Sequence, residues 1–255
     1  MGASLPERIM LLKIPIDIVS PEELPDVLLH LLPRKKKANP PKTGLDIVLL
    51  SLWDLLRARR NKEYREYIFN ASLVIPISKS LVSGARFLTG KTVYRYMPFK
   101  FVISFLTFLE KQDFSLYLFG GSSKVLRKTE KNIRTTFPLL KVVGRCEGTI
   151  RKQDEGVVIE AIRKASPSLL LVGKGRRGKE LWIHRHSTLL NPAFRLWCSD
   201  LFDVFAEKKR RPSDAAFEKG FDGIAYCFKN PFRLFKIFSY IRYKLLLLFY
   251  KLFKK

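Results

Sequence analysis

Residues 167–182 read PSLLLVGKGRRGKELW, and the fold class turns on this stretch. Leu169, Leu170, Leu171 and Val172 form an unbroken aliphatic run, which suits a strand covered on both faces. Gly173 and Gly175 end the run. A cation-rich segment follows with Arg176, Arg177 and Lys179, and then Glu180 and Trp182. A buried strand that ends in a glycine turn before a helix is the corner where open α/β sheets bind ligands. Backbone N–H groups at such a corner suit an anion such as a diphosphate. The same corner also occurs in proteins that bind nothing there, so it supports a fold before it supports a function.

Working outward, the same alternation recurs. Residues 9–19 read as a first strand, limited by Pro15. Ser20, Pro21, Glu22 and Glu23 carry a helix start with a capping box, which Pro25 delays by a turn. Residues 33–44 form a loop rich in Pro and Lys. Strands are expected at 46–50, 71–77, 115–119, 140–143, 169–172 and around 194–198. Gly144 is expected to close the strand before it. Helices are expected at 52–59, continued or restarted at 62–69, and at 82–88, 98–109, 124–136, 156–165 and 179–186. Continuous apolar strands alternating with helices predict an α/β fold with a mostly parallel, Rossmann-like sheet flanked by helices.

The 255 residues carry 48 Lys and Arg against 23 Asp and Glu, a formal net charge of +25. Such an excess implies a polyanionic partner: nucleic acid, an anionic membrane face or a phosphorylated substrate. Cys146, Cys198 and Cys227 are widely spaced and fit neither a disulfide framework nor a metal site. The first residues lack the pattern of a secretory signal, and a cytoplasmic location is expected.

From Asn230 the character changes. NPFRLFKIFSYIRYKLLLLFYKLFKK holds seven Lys or Arg and no acid. Its longest uncharged run, residues 245–250, is far below the roughly 20 apolar residues of a spanning helix. Wound as a helix, it places Arg233, Lys236, Lys244, Lys251, Lys254 and Lys255 on one side, with Phe, Ile, Leu and Tyr elsewhere. This is the profile of a helix lying on an anionic membrane. A docked helix with a solvated basic face is the other reading. The expected division is a core over residues 1–207 and a membrane-associating appendage over 208–255.

Chemistry-bearing patterns are few. His184 and His186 are two apart, with His30 remote, and read as surface residues. No Ser-His-Asp or Cys-His pairing emerges from the spacing. Gly120, Gly121, Ser122 and Ser123 form a glycine turn that offers a phosphate contact without a Walker lysine. Lys208, Lys209, Arg210, Arg211 and Pro212 form a basic run of the kind that contacts nucleic acid, with no nucleic-acid module beside it.

Several segments together resemble the WecG/TagA/CpsF family of glycosyltransferases. They are SLWD (51–54), ASLVIPIS (71–78), LFGG (118–121), residues 137–148, PSLLLVGKGRRGKELWI (167–183), residues 202–212 and residues 220–233. They occur in order over nearly the whole chain. The resemblance implies a Rossmann-like core with a C-terminal appendage that meets the membrane. It implies transfer of an N-acetylmannosamine-type sugar from a UDP donor to a polyprenyl-diphosphate-linked sugar, with inversion and with no metal or other cofactor. The protein would then sit at the inner face of the cell membrane. It places substrate contacts at Ser51, Arg95, Gly120, Gly121, Gly173, Gly175, Arg177, Lys179, Glu180, Arg233 and Lys236.

The departures from the family pattern matter as much. The position of the family's base Asp is Ile77, followed by Ser78. Its Asn is Ser51, its Gln is Lys179, and one of its arginines is Tyr226. An aliphatic side chain takes no proton, and loss of a general base costs about 10²–10⁴ in rate. One reading is a catalytically degenerate member, a pseudoenzyme or sugar-lipid binder that supports an active paralogue. A second is an active transferase in which Arg176, Arg177 and Lys179 stabilise the leaving UDP and a base lies elsewhere, with Asp54, Asp203 and Glu180 as candidates. A charge-driven nucleic-acid binder is the third.

Overall fold

The computed structural model describes residues 5–32, 44–175, 179–211, 213–219 and 235–253. Six parallel strands form the central sheet: β3 (Leu45–Leu50), β4 (Leu73–Pro76), β5 (Ser115–Phe119), β6 (Lys141–Cys146), β7 (Leu169–Gly173) and β8 (Phe194–Ser199). Their spatial order is β4-β3-β8-β7-β5-β6. The organising run lies inside the sheet, paired with β8 on one side and β5 on the other, and all of Leu169–Gly173 is buried. An aliphatic run with no polar alternation can be stable only there, with helices on both faces.

The side chains of each strand divide between two layers. Ile47, Leu73, Leu116, Leu169 and Leu196 face α1 (Leu24–Leu31), α5 (Pro98–Lys111), α6 (Ser123–Thr136) and α9 (Leu201–Phe205). Val48, Leu50 and Val74 face the opposite layer, which holds α2 (Leu52–Ala58), α3 (Lys62–Phe69) and α4 (Lys79–Thr89). Leu170 and Val172 lie on that side too, against α7 (Glu155–Ala165) and α8 (Lys179–Arg185). Burying both faces explains why the strands lack period-two polarity.

Two expectations change and one left open is decided. Residues 9–19 are not one strand but an antiparallel hairpin, β1 (Glu7–Leu11) and β2 (Ile14–Ile18). The turn places Leu12 and Lys13 at φ 50° and 67°, a left-handed pair that is usually Asn or Gly, so composition conceals it. Gly144 does not close β6, which runs on to Cys146 with a bulge opposite Leu116 and Tyr117. The absent Cβ at Gly144 makes room for the Tyr117 ring. The helix after β3 restarts, with Asn61 capping α3 through Tyr64 N–H at 2.8 Å. The capping box at Ser20 and Glu23 is formed, by bonds of 3.0 and 3.2 Å, and the helix begins at Leu24, one turn on.

At the base of the sheet a buried ion pair joins β8 to β3. Arg195 is 2% exposed and holds both carboxylate oxygens of Asp46, at 2.7 and 3.0 Å. Its remaining N–H groups reach the carbonyls of Ser187 and Gly44. The charge is therefore fully coordinated, a condition for burying it without a large penalty.

The last helix, α11 (Phe235–Phe253), is docked on the core. Tyr243 and Leu247 are buried against α4 and the hairpin layer. The Tyr243 hydroxyl donates to Ser80 O at 2.7 Å, and Gly84 leaves space for its ring. The other sides of α11 expose Phe238, Ile241, Leu245, Leu248, Phe249, Leu252 and Phe253. No helix among the described residues is long and apolar enough to cross a membrane.

Candidate functional site

From β3 across to β6, neighbouring strands of this sheet send their chains to opposite layers, while β4, like β3, leads to the layer of α2 and α4. The chain leaving β3 goes to α2, that leaving β8 to α9, that leaving β7 to α8, and that leaving β5 to α6. Crevices open at the carboxyl ends of strands where the direction changes. The candidate site is this rim.

On the β5–β7 side the rim is closed by backbone. Gly120 N–H donates to Cys146 O at 3.0 Å, Gly121 N–H to Lys174 O, and Gly148 N–H to Gly121 O at 2.8 Å. A Cβ on Gly120 would lie 2.7 Å from the backbone of Gly173, and one on Gly173 would lie 2.5 Å from the Phe202 ring. The glycines thus let three loops and α9 pack together. The amides of Gly120 and Gly121, singled out as phosphate contacts, donate instead to neighbouring loops.

On the β3–β4 side the polar groups are organised by Ser51. It caps α2 in a capping box with Asp54. Asp54 accepts from Ser51 N–H at 2.9 Å, Ser51 Oγ at 2.5 Å and the Tyr64 hydroxyl at 3.0 Å. Leu52 N–H donates to Ser78 Oγ at 3.1 Å, and Ile77 N–H to Leu50 O at 2.9 Å. The ends of β3 and β4 therefore lie side by side, and Ile77 presents a half-buried aliphatic side chain beside Ser51. Asp54, remote by sequence reasoning, belongs to this floor. Dense packing strips its carboxyl of water and pushes its pKa up, against its hydrogen bonds and with help from the nearby Glu180 charge.

Glu180 is 7% exposed and forms an ion pair with Arg57. The Arg57 guanidinium lies 4.0 Å over the Tyr64 ring. Desolvation works against its charge, but the Glu180 bond and charge prevail and its pKa is raised. Glu180 thus ties α8 to α2 beneath the rim. His184 and His186 are not surface residues but half-buried, their rings against Tyr67 and Trp182.

Arg95 reaches the end of β4, where its Nε donates to Ile77 O at 3.0 Å. It also stacks on Phe217 at 3.7 Å and donates to Phe217 O. Phe217 lies in α10 (Asp214–Lys219). Lys79 Nζ bonds Glu218 O at 3.3 Å, and Lys100 pairs with Asp214 at 3.0 Å. The segment after α9 is thereby strapped across the β4 end. Asp203 is half-buried at the end of β8, and Lys174 and Gly175 are exposed after β7.

The structure gathers Ser51, Ile77, Arg95, Gly173, Gly175 and Glu180 around one rim, with Gly120 and Gly121 at its closed end. Arg176, Arg177, Gly178, Pro212 and Arg233 lie outside the described residues, as do Tyr226, the loop 33–43 and the side chains of Lys179 and Lys236. No group of three or more His, Cys, Asp or Glu arranged for a metal occurs among the described residues. Sequence reasoning missed Tyr64 and Arg57 as site supports. The Ser51–Asp54 spacing signalled the capping box, but nothing local signals an Arg57–Glu180 contact across 123 positions.

The model of the glycosyl transferase WecG/TagA/CpsF family matches residues 9–255. Two N-acetylglucosaminyldiphosphoundecaprenol N-acetyl-beta-D-mannosaminyltransferases are similar. That of Bacillus subtilis (strain 168) is 22% identical over 191 residues, 75% of this chain and 74% of the relative. That of Bacillus spizizenii (strain ATCC 23059 / NRRL B-14472 / W23) is 23% identical over 157 residues, 61% of this chain and 60% of the relative.

Proposed function

The chain belongs to the WecG/TagA/CpsF glycosyltransferase family, and from that premise we propose that its rim binds a UDP-activated N-acetylhexosamine and a polyprenyl-diphosphate-linked sugar. We propose further that it lacks the family's usual proton acceptor and is catalytically degenerate. The observation that carries this second step is the floor between β3 and β4. Ile77 stands where the resemblance asks for a carboxylate. Of the three acids offered as a base elsewhere, Asp54 is engaged by Ser51 and Tyr64, Glu180 by Arg57, and Asp203 lies in α9. The first two carboxylates are thus held by partners within the protein, Asp54 by α2 and α3 and Glu180 by Arg57.

The charge at the rim supports anion binding. Lys79, Arg95 and Lys174 stand at the ends of β4 and β7, and the sequence after Lys174 adds Arg176, Arg177 and Lys179. Such groups stabilise diphosphate charge whether or not transfer follows. The exposed apolar face of α11, with Lys244 and Lys251 on the same helix, supports peripheral attachment to an anionic membrane at its cytoplasmic face. Residues 208–255 then act as the appendage that brings the rim to a lipid-linked acceptor.

Calorimetry with UDP and UDP-N-acetylhexosamine tests the donor site, using wild type and Lys179→Ala. Binding weakened by the substitution is the expected result, and absence of binding in wild type refutes a donor site. An Ile77→Asp variant tests the degenerate reading. Turnover that rises by about 10²-fold or more over wild type is expected, whereas wild-type turnover unaffected by the substitution refutes it. Sedimentation with anionic vesicles tests attachment: loss of α11 should release the protein, and retention refutes it.

A further inference from the structure

A second basic surface runs from the rim's closed end along the layer opposite α11. Helix α6 carries Lys124, Arg127, Lys128, Lys131 and Arg134, all exposed and each with another three residues away along the helix. At 1.5 Å per residue this is a stripe about 15 Å long. The neighbouring strand adds the exposed Arg145. The basic run after α9 joins it. Lys128 pairs with Glu207 at 2.8 Å, Asn132 donates to Phe205 O at 2.7 Å, and Thr129 to Phe202 O at 2.9 Å. These contacts seat α9 and Glu207 against α6, and the exposed Lys208, Arg210 and Arg211 follow, with the Arg211 guanidinium 5.7 Å from the Phe99 ring of α5. The basic run after α9 thus follows directly on a segment held by α6.

We propose that this face docks an acidic protein partner, through a segment that presents carboxylates at helical spacing. Four features favour that occupant. Two acids are built into the stripe: Glu130 braces both Arg134 and Arg145, and Glu207 braces Lys128. They fix the geometry of their partners, and a protein with mixed charge accommodates them, whereas a continuous phosphate backbone is repelled. Lys124 and Lys131 have no acidic partner among the described residues and are left for the incoming carboxylates. No exposed aromatic side chain stands among these cations, so the face lacks the stacking platform of a single-strand binder and the apolar wedge of an interfacial helix. Its place opposite α11 turns it away from any surface that α11 lies on.

The test uses the full chain and a synthetic helical peptide with glutamates at i, i+3, i+4 and i+7, followed by fluorescence anisotropy. The comparison is between Lys124→Glu/Arg127→Glu/Lys131→Glu and a charge-matched control on the other layer, Arg60→Glu/Lys62→Glu/Arg65→Glu. Peptide binding should fall by about tenfold or more in the α6 variant and by less than about twofold in the control. Equal losses in both variants would show that net charge alone acts, and overturn the proposal. Duplex DNA or anionic vesicles whose binding depends on α6 while peptide binding does not would overturn it as well. Should the triple reversal fail to fold, Lys124→Gln/Lys131→Gln keeps the comparison, with a smaller loss in the same direction expected and no loss overturning it.

Discussion

Replacing Gly120 by alanine isolates what the glycine cluster at the rim does. Gly120 has φ 139°, and a Cβ there would lie 2.7 Å from the backbone N, C and O of Gly173. Forcing an L-residue into that conformation costs about 1–3 kcal/mol. Overpacking against atoms that cannot rotate away costs about another 1–3 kcal/mol. The expected destabilisation is therefore about 2–6 kcal/mol, a large share of the roughly 5–15 kcal/mol that holds a domain folded. Two other glycines separate the contributions. Gly90 has φ 73° with nothing within 4 Å of its Cβ position, so alanine there carries only the conformational cost, about 1–2 kcal/mol. Gly156 sits in α7 with open space and no positive φ, so alanine there stabilises by about 0.5–1 kcal/mol. The assay is equilibrium urea unfolding, read by far-UV dichroism and by the fluorescence of tryptophans that include Trp182, whose ring packs 5.1 Å from that of Phe119. A shifted midpoint with an unchanged slope reports stability alone. If Gly120→Ala costs no more than Gly90→Ala, the close approach of the loops contributes nothing and the account of the rim's closed end is wrong.

Other substitutions follow from the same contacts. Asp46→Asn leaves the Arg195 guanidinium buried without its counter-charge and should cost about 3–5 kcal/mol; a melting temperature within 2 °C or so of wild type would contradict this. Burial pushes the Cys198 thiol far up, so iodoacetamide at mild alkaline pH should label the half-buried Cys146 before it, as peptide mass mapping would reveal; early labelling of Cys198 counts against the packing. The raised Asp54 carboxyl gains its proton more readily folded than unfolded. Its contribution to stability is thus fully present below the unfolded value near 4 and lost as pH rises through the higher folded value. A carboxyl-carbon titration by NMR should place its midpoint above 3.8, and Glu180→Gln should lower it; a midpoint below 3.8 refutes the desolvation argument. Tyr243→Phe removes the bond to Ser80 and should cost about 1 kcal/mol, while Tyr243→Ala should cost about 3–5 kcal/mol. Hydrogen exchange along α11 that is unchanged by Tyr243→Ala would show that the helix is not held by this residue.

Within the candidate site, legibility followed distance along the chain. The end of β7 at Gly173 and the capping box at Ser20 and Glu23 are local patterns, and both stand where the spacing places them. The hairpin at Leu12–Lys13 was concealed because its turn uses residues that rarely take positive φ. The ties of Glu180 to Arg57 and of Asp54 to Tyr64 were not legible, because each depends on how helices leaving different strands come together. The same holds for the glycine turn at 120–121. Its composition is compatible with a phosphate cradle, and its hydrogen bonds to Cys146 and Lys174 are visible only once β5, β6 and β7 are neighbours.

Sequence by itself determined the fold class, because runs such as LLLV and DIVLL can satisfy their backbone and hide their side chains only in a parallel sheet covered on both faces. It also determined the basic, aromatic character of α11 and the aliphatic nature of position 77, which are matters of composition. Tertiary structure alone decided the strand order, which side of α11 is buried by Tyr243 and Leu247, and which rim groups are already bonded to one another. It alone placed α6 against the segment that follows α9, through Lys128 and Glu207. These outcomes depend on contacts between residues far apart in the chain, whose pairing is set by the packing of whole layers and not by any local pattern.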